Sequence, residues 1–313
     1  MTDTQLATAP RERETTTPMS DGAAFIDGEY VPIAEARIPI LDWGFLRSDA
    51  TYDVVSVWDG RFFRLEDHLD RFERSVARLR MKLPYGRDQI RDIVFECVRK
   101  TGLRRAYVEI VATRGMPRPG SRDPRDCQNQ FFAFAIPFVW IADPETQDRG
   151  LHLVISNIRR IPPESVDPTV KNYHWMDLMK GIYEAYDRGG ETVVLVDEND
   201  NVTEGPGFNI FVCKDGRLTT PARGVLEGIT RKSVIKLAKK MNVDMELGMV
   251  GADEVRDADE VFLSTTAGGV LPVTRVDGQP IGDGAPGPVT LRMRDLYWEA
   301  HEDPSLSSPV DYG

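Results

Sequence analysis

Leu65, Leu69, Phe72, Val76 and Leu79 return every three or four positions, a spacing that predicts a one-faced helix from about Glu66 to Met81. A second helix is expected from Arg87 to Lys100. Around these two segments the apolar residues crowd into short runs bounded by turn residues. Ala24 to Val31 reads as two strands about Asp27-Gly28, and Ala50 to Trp58 with Arg61 to Arg64 reads as a hairpin about Asp59-Gly60. Two further β-rich runs, Ala106 to Thr113 and Gln130 to Trp140, are split by a Pro/Arg/Gly loop from Met116 to Asp126. Residues 23–140 therefore read as a small domain mixing helix and sheet.

Residues 141–150 are polar, contain Pro144, and read as a linker. Beyond them the pattern predicts strands at Leu151 to Asn157, Thr192 to Val196, Phe208 to Cys213 and Glu260 to Ser264. Helices are expected at Tyr173 to Arg188, Arg231 to Met241 and, opened by Pro288, at Val289 to His301. Residues 151–313 thus form a larger, β-rich second domain, and the fold class is α+β. The Thr-rich, charged stretch 1–22 has no apolar core and is expected to be a disordered tail rather than a signal peptide.

The 313 residues suffice for two domains of ordinary size. Lys+Arg 39 against Asp+Glu 50 gives 39 − 50 = −11, which argues against a nucleic-acid or anionic-membrane surface. No apolar run reaches the ~18 residues of a membrane span. Cys97, Cys127 and Cys213 are odd in number and widely spaced, so neither a disulfide framework nor a cysteine zinc site is expected, and they read as reduced thiols of a cytoplasmic protein. The four histidines show no metal spacing. Gly282-Asp-Gly-Ala-Pro-Gly287 matches G-x-G-x-x-G, but no apolar strand leads into it, so it is read as a glycine-rich loop.

Candidate chemistry centres on two segments. Lys171 lies in Asp167-Pro-Thr-Val-Lys-Asn-Tyr-His-Trp175, and Glu204 follows in Thr203-Glu-Gly-Pro-Gly-Phe-Asn209. An amine that can hold an aldehyde and a carboxylate that can keep a pyridine nitrogen protonated are what a pyridoxal-phosphate site needs. A phosphate also needs fixed donors. Leu226-Glu-Gly-Ile-Thr-Arg-Lys-Ser233 places a glycine and a threonine before an apolar helix, where Ile229 and Thr230 could offer N–H groups and a hydroxyl, although an ordinary helix cap reads the same way. Thr265-Thr-Ala-Gly-Gly269 is a second donor-rich turn, or a simple hairpin loop.

In combination, Arg71, Lys171, Glu204, Leu-x-Gly-Ile-Thr at 226–230 and Thr-Thr-Ala-Gly-Gly at 265–269 resemble the fold-type IV pyridoxal-phosphate enzymes. These comprise branched-chain aminotransferases, D-amino-acid aminotransferases and aminodeoxychorismate lyases, and the likeness runs from about Phe25 to His301. The resemblance implies that Lys171 binds the cofactor and moves the substrate proton, that Glu204 pairs with the ring nitrogen, and that Leu226 packs on the ring. It implies phosphate contacts from Arg71, Ile229, Thr230 and Thr266, and a cofactor contact from Thr265. By spacing alone Arg71 would be a solvated charge.

Tyr52-x-Val54-x-Ser56 and Tyr107-x-Glu109 are most similar to the (R)-selective amine transaminases. Branched-chain enzymes usually carry glycine at the position of Val54 and arginine at that of Glu109, which implies pyruvate rather than 2-oxoglutarate as acceptor. Arg47 departs from the histidine of the fungal members and leaves room for D-amino-acid activity. The resemblance further implies substrate contacts from Thr265, Ala267, Trp175 and a loop arginine, Arg118 or Arg122, together with a homodimer or higher oligomer. Trp175, four residues after Lys171, is expected one helical turn away on the same face, with domain packing as its alternative.

Overall fold

The computed structural model describes Arg11–Glu12 and residues 18–313, so most of the expected tail lies outside the described residues. Arg11–Glu12, inside that tail, pairs in parallel with Glu29–Tyr30. The chain forms two compact units. The first runs through Val139 and takes in Val170–Tyr173 and Pro304–Gly313; the second holds Trp140–Thr169 and His174–Asp303.

The first unit is built on an eight-stranded sheet in the order Arg11–Glu12, Glu29–Pro32, Ala23–Ile26, Cys127–Pro137, Ala106–Pro117, Ala50–Trp58, Arg61–Phe63 and Ser307–Pro309. The helices Leu65–Arg78 and Arg87–Thr101 cover one face. Leu65, Leu69, Phe72 and Val76 of the one, and Ile90, Val94 and Val98 of the other, bury against Val55, Val57, Val108 and Ile110. Each such burial contributes roughly 1.5–3 kcal/mol. Because strand side chains alternate, this packing turns Tyr52, Val54 and Ser56 toward the opposite face.

A nine-stranded sheet organises the second unit. Asp244–Gly248, Arg217–Pro221, Phe208–Lys214, Glu260–Thr265, Gly269–Val276, Leu151–Arg159 and Thr192–Val196 lie side by side; Glu204–Gly205 adds to Phe208–Lys214 and Gln279–Pro280 to Gly269–Val276. Helices Met176–Asp187, Ile229–Lys240 and Pro288–Glu299 pack in this unit. No helix among the described residues is long and apolar enough to cross a membrane.

Three expectations change. The stretch 141–150 is not a bare linker, because Asp143 accepts the Thr146 N–H at 2.8 Å and opens the helix Pro144–Arg149 within the second unit. The strand Ala106–Pro117 runs into the 116–126 segment and its partner Cys127–Pro137 starts directly after it, so both are longer at this end than their apolar pattern suggested, with a register shift between Thr113 and Met116. Finally, the helix expected from Tyr173 begins only at Met176. Lys171 is held in extended form instead: its carbonyl accepts Tyr52 N–H at 3.0 Å and the Thr51 hydroxyl at 2.6 Å. Residues 171 and 175 therefore do not share a helical face, and the inferred alignment of Trp175 with Lys171 is withdrawn.

Candidate active site

The free face of the first sheet gathers the residues whose spacing drew attention. Val54 lies directly across from Glu109, and Ser56 across from Tyr107. Tyr52 stacks on Tyr173, with ring centroids 4.3 Å apart and planes 15° from parallel. The Lys171 Nζ stands 4.2 Å from the centroid of the Tyr52 ring, a placement that combines a cation–π contact with the two backbone bonds on its carbonyl. Glu109 is buried and accepts the Tyr173 hydroxyl at 2.6 Å and the Tyr107 hydroxyl at 3.2 Å. Burial raises its pKa above the ordinary carboxyl range, against the Tyr173 bond and the Lys171 charge that act the other way. Tyr173 was not singled out in the sequence, where it reads as the first residue of a helix.

Arg71 is not a solvated charge. It is buried on the helix-covered side, where its Nε and Nη2 donate to the two oxygens of Asp53 at 2.7 and 2.8 Å. His68 Nδ1 lies 2.7 Å from the same carboxylate. Burial alone would push the Asp53 pKa up, but the Arg71 charge and the bonds from Arg71 and His68 outweigh it and hold it well below the usual range. Burial lowers that of His68. Both groups bind protons more readily when unfolded, so stability rises with pH across their range. The Asp53 contribution is complete above about pH 4 and that of His68 above about pH 6.5, and each is lost as pH falls below those unfolded values. Asp53→Ala is expected to lower the unfolding free energy by ~3–5 kcal/mol, because it strands a buried guanidinium. Urea denaturation near neutral pH tests this, and a loss under about 1 kcal/mol would contradict a paired interior charge.

In the second unit, Glu204 sits at the start of a tight hairpin. Glu204–Gly205 pairs with Phe208–Asn209 across Pro206-Gly207, the order a type II turn favours, with Gly207 at φ +82°. Residue 205 must be glycine, since a Cβ there would lie 2.2 Å from the Phe208 ring. The buried Glu204 carboxylate accepts Leu226 N–H at 2.8 Å and Arg160 Nη2 at 3.1 Å. Asn209 Nδ2 donates to the Leu226 carbonyl at 2.9 Å. One short hairpin thus grips Leu226 at both its N–H and its C=O. Neither Arg160 nor Asn209 was assigned this role from the sequence; the signal for Asn209 was its place in the same turn as Glu204.

The helix Ile229–Lys240 follows directly, with Gly228 at its cap, so no side chain closes its first turn from that position and no acidic residue lies in it. Such a start favours an anion. The Thr230 hydroxyl lies 3.3 Å from that of Tyr297, and a Cβ on Gly269 would meet the Tyr297 ring at 2.8 Å. Tyr297 thereby brings the 226–230 and 265–269 turns together. Within the latter, Thr265 donates to Gly207 O at 2.8 Å and accepts Ala267 N–H at 3.2 Å, so its hydroxyl shapes the turn. Thr266 is the more exposed of the two threonines, and Ala267 is buried.

The remaining candidates have contacts of other kinds. The Arg47 guanidinium lies 3.4 Å from the Trp43 ring centroid, on an exposed short helix. Arg118 pairs with Asp126 at 3.0 Å, while Arg122 is exposed on the same loop. Trp175 packs against the Val154, Leu178, Val193 and Leu195 cluster of the second unit. No group of three or more His, Cys, Asp or Glu side chains among the described residues is placed to hold a metal ion.

Comparison with known proteins adds names to this geometry. Residues 50–276 match the family described as amino-transferase class IV. The chain is 31% identical over 276 residues to a putative branched-chain-amino-acid aminotransferase of Methanocaldococcus jannaschii, covering 87% of this chain and 94% of that protein. It is 27% identical over 280 residues to a D-alanine aminotransferase of Staphylococcus haemolyticus, covering 87% and 95%. Among solved structures, the branched-chain amino acid aminotransferase of Thermobaculum terrenum in its PLP form superposes with a TM-score of 0.84 at 27% identity, over 94% of this chain and 99% of that one.

Proposed function

This chain belongs to the class IV aminotransferase family and is a pyridoxal-phosphate enzyme, and on that premise we propose that it is an (R)-selective amine transaminase that uses pyruvate as acceptor. The residues present fit the cofactor: a tethered amine at Lys171, a buried carboxylate with fixed donors at Glu204, and an anion-favouring helix start at Gly228. When bound, the cofactor supplies an aldehyde that condenses with amines and a ring that accepts electrons. Lys171 would supply the amine that holds the aldehyde and would carry the proton at the substrate α-carbon. Glu204 would hold a proton at the ring nitrogen. Leu226 would pack on the ring, and Ile229, Thr230, Thr266 and Arg71 would hold the phosphate.

One observation supports the finer reading most. The sheet face beside Lys171 presents a buried acid, Glu109, bonded to two tyrosines and set opposite Val54, where an acceptor with a second carboxylate would need a cation. Tyr52 and Val54 supply an apolar wall for an aryl or alkyl amine, and Arg47 leans on Trp43. The names of the relatives favour branched-chain or D-amino acids as the competing donors. A homodimer is supported by the run of exposed Ile38, Ile40, Leu41, Phe45 and Leu46. The cytoplasm is supported by three cysteines that form no disulfide.

The specificity is tested with (R)- and (S)-1-phenylethylamine, D-alanine and L-leucine against pyruvate and 2-oxoglutarate. The (R)-amine with pyruvate is expected to give the highest kcat/KM, with 2-oxoglutarate at least ~10-fold poorer, the cost of an unpaired buried carboxylate. Equal use of both acceptors, or consumption of the (S)-amine, sinks the reading.

A further inference from the structure

Arg160 is a largely buried cation of the second unit that joins two carboxylates. Its Nη2 reaches Glu204 Oε1 at 3.1 Å and its Nη1 reaches Asp177 Oδ2 at 2.6 Å, with only 10% of its side chain exposed. Asp177 is itself fixed. Its Oδ2 accepts Ile161 N–H at 2.9 Å and its Oδ1 accepts Leu178 N–H at 2.8 Å, at the head of the helix Met176–Asp187. The guanidinium is therefore clamped at one end and aimed at Glu204 with the other, while its buried Nε has no hydrogen-bond partner among the described residues. A lone ion pair for stability would be a weak reason to bury such a group, because desolvation of a guanidinium costs several kcal/mol, in order of magnitude, before any gain is counted.

The consequence falls on Glu204. A carboxylate that accepts a charged donor on one oxygen and a backbone N–H on the other is stabilised in its ionised form and is a weak base. When such a group shares a proton with a heterocyclic nitrogen, the proton stays on the nitrogen. Arg231, from the helix Ile229–Lys240, is a second cation in the field of Glu204, but its guanidinium is turned to Pro221 O at 2.7 Å and Thr220 Oγ1 at 3.3 Å. Arg160 alone of the two is hydrogen-bonded to the carboxylate.

We propose that Arg160, anchored by Asp177, is a positioning residue that keeps Glu204 ionised and thereby fixes the shared proton on the cofactor ring nitrogen. This rests on the reading that Glu204 faces that nitrogen. The elevated basicity of Arg160, which burial opposes and the charge of Glu204 with the Asp177 bond outweigh, accords with it. A merely structural ion pair would affect stability and leave the ring proton where it is.

The test is the 15N resonance of the ring nitrogen in protein loaded with 15N-labelled pyridoxal phosphate, recorded for the unmodified chain, Glu204→Gln and Arg160→Met, with thermal unfolding in parallel. Arg160→Met is expected to move the resonance by most of the separation between the protonated and neutral forms, in the same direction as Glu204→Gln. Where Arg160→Met does not fold, Arg160→Gln keeps hydrogen-bond donors without the charge and carries the same expectation. A resonance that Glu204→Gln moves and both Arg160 variants leave in place, whatever their stability, overturns the role of Arg160 and spares that of Glu204. A resonance unmoved by Glu204→Gln overturns the underlying reading, and the Arg160 role with it.

Discussion

Lys171→Ala is expected to abolish amino transfer, with a loss of roughly 10²–10⁴-fold from the missing proton carrier alone and more from the missing amine. The structure ties this lysine to its strand through the Thr51 hydroxyl and the Tyr52 N–H, and sets its Nζ over the Tyr52 ring. Tethering of this kind fixes the base of the side chain, so another lysine cannot take its place by a small shift. Lys180, on the exposed face of the following helix, has no such setting. Steady-state assay with pyruvate provides the check, together with the absorption spectrum of the loaded protein. Turnover within tenfold of the unmodified chain would remove Lys171 from the chemistry.

Glu204→Gln is expected to lower turnover by about 10²–10³-fold, the scale of losing one preorganised electrostatic partner. The fold should survive the change. A glutamine oxygen can still accept from Leu226 N–H, so the hairpin keeps its grip on Leu226, while the amide NH2 faces Arg160 and that bond is lost. What is lost is the negative charge proposed to face the ring nitrogen, so the deficit is expected in proton removal rather than in binding. Stopped-flow measurement of the half-reaction with amine alone isolates that step, and an unchanged rate there would contradict the role.

Much of this was legible because the signals were local. The hairpin about Asp59-Gly60, the apolar stripe from Leu65 to Val76 and the strand Thr192–Val196 follow from spacing and turn chemistry within a few residues. Partners far apart in the chain were not legible. Lys171 and Thr51 are 120 positions apart, and their pairing displaced the first turn of a helix that the local pattern favoured. Arg71 looked solvated for the same reason, since the carboxylate that pairs its charge, Asp53, lies on a different element. A usable clue was nonetheless present: Asp53 stands among Tyr52, Val54, Val55 and Val57 in a strand otherwise fit for a core, and a carboxylate there requires a cation. Arg160 and Asp177 carried no such clue, being single charges beside a proline-rich loop and at a helix start.

The lysine itself gives the most direct test of the account. Reduction of the loaded protein with borohydride, proteolysis and mass spectrometry of the modified peptide report which amine holds the cofactor. The phosphopyridoxyl mass is expected on Lys171, within the peptide that contains Asn172-Tyr173-His174-Trp175. Recovery of that mass on Lys180 or another lysine, or a chain that takes up no cofactor under these conditions, would contradict it.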